Sequence, residues 1–134
     1  MRLKPFVAVI MLVVLNAVSA VWAEESRFSS EFDQCMDRSG GATFDMIECM
    51  TAEHEKQDVK LNAAYKKLMN AESEERKKKL REAQRAWIKF RDAYGDFIYD
   101  PDGGTLARVE ANYWNLEATA EQAKRLEELV DRFQ

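Results

Sequence analysis

FDMIECMTAEHEKQDVKLNAAYKKLMN, residues 44–70, contains neither glycine nor proline. Phe44, Ile47, Thr51, His54, Asp58, Leu61, Tyr65 and Leu68 recur within it at steps of three and four. That is the period of one helix face, and it continues for about seven turns. Thr43, just before it, is a residue type that caps helix N-termini. The stretch therefore predicts a long amphipathic helix ending near Asn70.

Working outward, a second long helix is expected from about Ser73 to Tyr99, with Leu80, Ala83, Trp87, Phe90, Tyr94 and Phe97 as its apolar stripe. Glu72, Glu74 and Glu75 near its start and Lys77 to Lys79 after them suit the helix dipole. Asp100-Pro101-Asp102-Gly103-Gly104-Thr105 breaks it. A third long helix follows, with Leu106, Val109, Tyr113, Leu116, Ala120, Ala123, Leu126 and Val130 at helical spacing. Upstream, Gly40-Gly41 ends a short helix over about Ser30 to Asp37, capped by Ser29 or Ser30. No run of alternating β-branched residues suggests a sheet. Helices of roughly 25 residues would each be about 38 Å long, and short connections favour antiparallel neighbours. The expected fold is all-α: an elongated antiparallel bundle of one short and three long helices.

The first 23 residues have a different character. Arg2 and Lys4 precede an almost wholly apolar run from Phe6 to Ala20, and Val21-Trp22-Ala23 offers small residues at a cleavage site. This is the pattern of a secretory signal peptide over 1–23, leaving one domain over 24–134. A retained membrane anchor is the rival reading, but the run is shorter than the roughly 20 residues that span a bilayer. The expected location is the bacterial periplasm or the exterior. Cys35 and Cys49, both inside the domain, would then meet an oxidising compartment and form a disulfide. A metal site would need further ligands, and His54 is the one histidine.

The formal charge of the whole chain is −4, and loss of Arg2 and Lys4 brings it to −6. Acidity argues against a nucleic-acid partner and suits a cationic protein partner. Catalysis has little to draw on. His54, the one candidate base, lies mid-helix between two glutamates, and no glycine-rich phosphate loop follows a strand. No catalytic residue, cofactor or metal is expected.

Asp58, Asn62 and Tyr65 stand along one helix face, and Gln84, Trp87 and Arg91 along another. If those helices form a hairpin, Asp58, Asn62, Gln84 and Arg91 would form a polar network fixing their register; a ligand-binding cleft is the alternative. Lys77, Arg81, Arg85 and Lys89 make a basic line, read as a solvated face paired with acids such as Glu117 or Glu121. Asp100, Asp102, Gly103 and Gly104 form the candidate partner-binding loop, with a plain helix-to-helix turn as the alternative.

Cys49, Glu53, Asp58, Leu61, Asn62, Tyr65 and Leu68, followed by Leu80-Arg81, Ala83-Gln84-Arg85-Ala86-Trp87-Ile88 and Phe90-Arg91-Asp92-Ala93, resemble the LprI-like lysozyme-inhibitor domain. The resemblance covers about residues 35–130. It implies a small exported helical domain that blocks a cell-wall hydrolase, with a cationic lysozyme as partner. The alternative is an envelope structural or interaction module with another protein partner, which would expose an apolar stripe on one helix. Family members carry a second cysteine pair where this chain has Gly95 and Trp114. The expectation is that the Trp114 ring fills the space of that bridge and touches the backbone near Gly95.

Overall fold

The computed structural model describes residues 27–132, so the expected signal peptide lies outside the described residues. Four helices make up the described chain: α1 (Ser30–Ser39), α2 (Thr43–Ala71), α3 (Glu74–Ile98) and α4 (Gly104–Arg132). No strand occurs among the described residues. At 1.5 Å per residue, α2 and α4 are each about 43 Å long.

The breaks are local chemistry. Ser29 caps α1, its hydroxyl accepting from the Phe32 amide at 3.2 Å, and Gly40 closes the helix at φ 56°, a conformation that favours glycine. Ser73 caps α3 by accepting from the Arg76 amide. Thr43 is not a cap but the first residue of α2. Ala42 occupies the cap position without a side-chain bond, because a methyl side chain has no acceptor; its own amide donates to the Ser39 carbonyl.

Adjacent helices run antiparallel, which makes α2 and α4 parallel. His54 meets Thr119, and Leu61, Ala64 and Leu68 join Ala123, Leu126 and Val130 in one cluster. On the other side of α4, Gln84 of α3 meets Gln122. α4 is thus the shared support: α2 and α3 both lean on it, and α1 folds back across α2. The Cys35–Cys49 disulfide joins α1 to α2 across a Cα separation of 5.7 Å.

The interior has two apolar parts. Leu61, Ala64, Leu68, Ala123, Leu126 and Val130 form one. Phe32, Cys49, Met50 and Leu116 form the other. Between Met50 and Leu61 on α2, and between Leu116 and Ala123 on α4, lies a polar layer of Glu53, Gln57 and Thr119, all buried. A buried polar atom without a partner is costly, and here every such side-chain atom among the described residues has one.

Candidate interaction surface

α3 presents a different line to α4 from the one its apolar residues suggest. Gln84 is its buried residue. Leu80, Trp87, Arg91, Gly95 and Ile98 are half-buried along the same line. Phe90, Tyr94 and Phe97, expected in the core, ride on the flank at 57%, 41% and 80% exposure. The register is held by polar contacts: Gln122 donates to the Gln84 carbonyl oxygen at 2.5 Å, and the Trp114 indole donates to the Arg91 carbonyl at 2.9 Å. These bonds fix which side of α3 faces inward and leave the aromatic side outside.

The exposed rings form a continuous row. Phe90 and Tyr94 have centroids 5.8 Å apart, and Tyr94 and Phe97 6.0 Å. Trp114 supports the row from α4, 4.5 Å from Tyr94 and 6.0 Å from Phe90. A cavity of about 280 Å³ opens beside Trp87, Phe90 and Trp114. Trp114 also lies against Gly95, as the missing cysteine pair led us to expect: a Cβ on Gly95 would stand 3.5 Å from its Cδ1.

The row runs into the α3–α4 connection. The Gly103 amide donates to the Asp100 carbonyl at 3.0 Å, closing a turn with Pro101 at its second position. The Asp102 amide donates to Asp100 Oδ1 at 2.9 Å. Gly103 is needed for close approach, since a Cβ there would fall 2.8 Å from Ala107 Cβ. Gly104 opens α4 at φ 66°. Asp100, Asp102, Gly103 and Gly104 are all exposed, so the loop is an ordered, acidic projection beside the aromatic row.

The residues expected to share one polar network are divided. Asn62 donates to the Asp58 carbonyl and to its Oδ2, both at 2.9 Å, within α2. Gln84 pairs with α4. Arg91 pairs with its neighbour Asp92 and lies over Trp87 at 5.1 Å. No hydrogen bond or ion pair among the described residues links Asp58 or Asn62 to Gln84 or Arg91. The reason is that α4 is the inward partner of both helices. Likewise Glu117 and Glu121 take Arg27 rather than the basic line of α3, and Lys77 of that line pairs with Glu74.

The sequence reading gave no role to the one charged side chain that is buried among the described residues. Glu53 is 1% exposed. It accepts from the Ser29 amide at 3.0 Å, the Ser29 hydroxyl at 2.5 Å and the Gln57 amide at 2.7 Å. Burial pushes its carboxyl upward, but these bonds and nearby Lys56 outweigh burial and hold it below the ordinary carboxylate value. Its i, i+4 spacing with Gln57, in line with Met50 and Leu61, was the available signal. His54 Nε2 stands 3.1 Å from the Thr119 hydroxyl. Burial and Arg91 lower its pKa against Asp58 and Glu55. Thr119 is 0% exposed, so this pair offers no hydroxyl that a substrate could reach. Among the described residues no group of His, Cys, Asp and Glu is placed to hold a metal ion.

Among known proteins, the model of the family described as lysozyme inhibitor LprI matches residues 35–126, most of the chain. No curated protein and no solved structure matches it.

Proposed function

Because the chain belongs to the LprI lysozyme-inhibitor family, we propose that it is an exported, non-catalytic binding protein that obstructs a basic cell-wall hydrolase. The observation that carries this reading is the ordered acidic turn at Asp100–Gly104 standing next to outward-facing aromatic rings. Obstruction needs a rigid projection, and the turn is braced by its own hydrogen bonds. Asp100 and Asp102 face basic groups around the hydrolase cleft. A net charge of −6 after loss of Arg2 and Lys4 speeds encounter with a cationic partner. The signal-like residues 1–23 support export to the periplasm or the exterior. No helix among the described residues is long and apolar enough to cross a membrane.

The test is inhibition. Purified protein added in molar excess to a basic lysozyme at low salt slows lysis of cell-wall suspensions, and Asp100→Asn/Asp102→Asn weakens that effect. An unchanged lysis rate with the unsubstituted protein defeats the reading for that lysozyme.

A second reading, an envelope interaction module with a non-hydrolase protein, is favoured by the same exposed stripe on α3. It predicts a stable complex with that partner, visible by size-exclusion chromatography with light scattering, and no effect on lysis.

A further inference from the structure

Nothing among the described residues covers the outer flank of α3. An exposed apolar patch with polar surroundings marks an interaction site more often than a monomer surface. Rings suit that use, since they bring large contact area and lose little conformational freedom on docking. Here they are already held by the Trp114 indole, itself fixed by its bond to Arg91. The cavity beside Phe90 gives an incoming side chain somewhere to go, and anchors in pockets carry most binding energy at protein interfaces.

Charge decides what covers the row. Asp96, Asp100 and Asp102 stand at its Phe97 end, and none forms an ion pair among the described residues, while Lys89 and Arg91 adjoin Phe90 at the other end. A second copy would bring a matching set of carboxylates to the same place, and like charges across an interface cost affinity. Basic side chains reverse the sign. Their aliphatic stems lie along rings, and their cationic ends are attracted to ring faces. The chain already displays that pairing internally, with the Arg91 guanidinium over Trp87. Glu117 and Glu121 beside the cavity are engaged by Arg27 and Arg125, and Arg125 itself lines it, so the pull on a cation comes from the rings and the Phe97-end carboxylates.

We propose that the Phe90–Tyr94–Phe97 row, with the cavity beside Phe90, is the docking face for a basic protein, whose Arg or Lys side chains lie across the rings while Asp96, Asp100 and Asp102 balance their charge. This rests on the reading of a basic partner and locates its contact: the rings are the energetic centre and the acidic turn is the rim.

The test titrates the purified protein with two probes. One is a basic lysozyme; the other is a peptide of alternating Arg and Leu, with the Glu–Leu peptide as control. Phe90→Ala/Phe97→Ala is expected to weaken binding by about tenfold or more with an unchanged melting curve. Asp96→Asn/Asp100→Asn/Asp102→Asn weakens it mainly at low salt. The Glu–Leu peptide is not held. Ring-dependent binding of the Arg–Leu peptide without lysozyme binding supports the docking face and defeats the hydrolase reading for that lysozyme. Full lysozyme inhibition by the double ring variant overturns the docking face and leaves the hydrolase reading intact. Failure to hold either probe overturns the docking face, as does a dimer that the ring variant dissolves.

Discussion

Trp114 and Gly95 are in contact across the α3–α4 interface, the indole Cδ1 standing 3.5 Å from where a Gly95 Cβ would be. The ring also donates to the Arg91 carbonyl at 2.9 Å, a backbone group one turn earlier on the same helix. Ring and hydrogen bond thus join the two helices where the family resemblance implies a second disulfide. Trp114→Ala should cost about 2–4 kcal/mol in urea denaturation. Trp114→Phe keeps the packing and loses the bond, about 1 kcal/mol. Equal losses in the two variants would show that the ring contributes no packing. Gly95→Ala should stabilise by about 0.5–1 kcal/mol, since the helix gains a better former and 3.5 Å is an ordinary contact.

Glu53 and Ser29 act as a unit. Glu53→Ala leaves the Ser29 amide and Gln57 without their acceptor and should cost about 3 kcal/mol. Ser29→Ala removes a helix cap and a donor to Glu53, about 1–2 kcal/mol. The double variant should lose less than the two single losses combined, because they break one shared interaction. Strict additivity in a double-mutant cycle would show that they do not.

Acid should weaken the fold in two stages. The His54 pKa is lowered from 6.5 by burial and Arg91, with Asp58 and Glu55 opposing. The unfolded chain therefore takes this proton first, and stability falls as pH drops below 6.5. Glu53 is lowered from 4.5, so its contribution is complete above 4.5 and is lost as pH falls through its folded value. Exposed pairs such as Glu72–Arg76 add little, because water screens them. Melting temperature followed against pH should show both declines. His54→Gln should remove the first and Glu53→Gln the second; a profile unchanged by both would refute the assignment.

Reduction should release α1. Cys35 and Cys49 are 14 apart in sequence, and opening a loop of that size costs about 3 kcal/mol on the chain-entropy argument. Thermal melts with and without reductant, and of Cys35→Ser/Cys49→Ser, should show the same loss. Coincident curves would mean that Phe32 and Met50 packing alone secures the first helix.

The fold was legible wherever residue type and burial agree. Leu61 and Leu68 on α2, and Leu116, Ala120, Ala123, Leu126 and Val130 on α4, are apolar, periodic and buried. Gly40-Gly41 and Asp100–Gly104 marked the turns because those residues suit tight backbone geometry. Reading failed where burial is bought by a distant partner. Glu53 and Gln57 sit inside because Ser29, 24 residues upstream, completes their bonding. Phe44, Phe90 and Phe97 read as core and are exposed. Gln84 faces inward in place of Phe90, Tyr94 and Phe97 because Gln122, 38 residues away, donates to it. No local pattern reports such a partner. The acidic loop was visible from its composition; the aromatic row beside it was not, since helical periodicity alone cannot distinguish a core face from an exposed one.

The shared support, α4, is also synthesised after the three helices it organises. Until residues 104–132 have been made, α2 lacks the Ala123, Leu126 and Val130 half of its core and α3 lacks its Gln122 contact, so only α1 and α2 can pair. Any shortening that removes this closing segment should abolish the compact product.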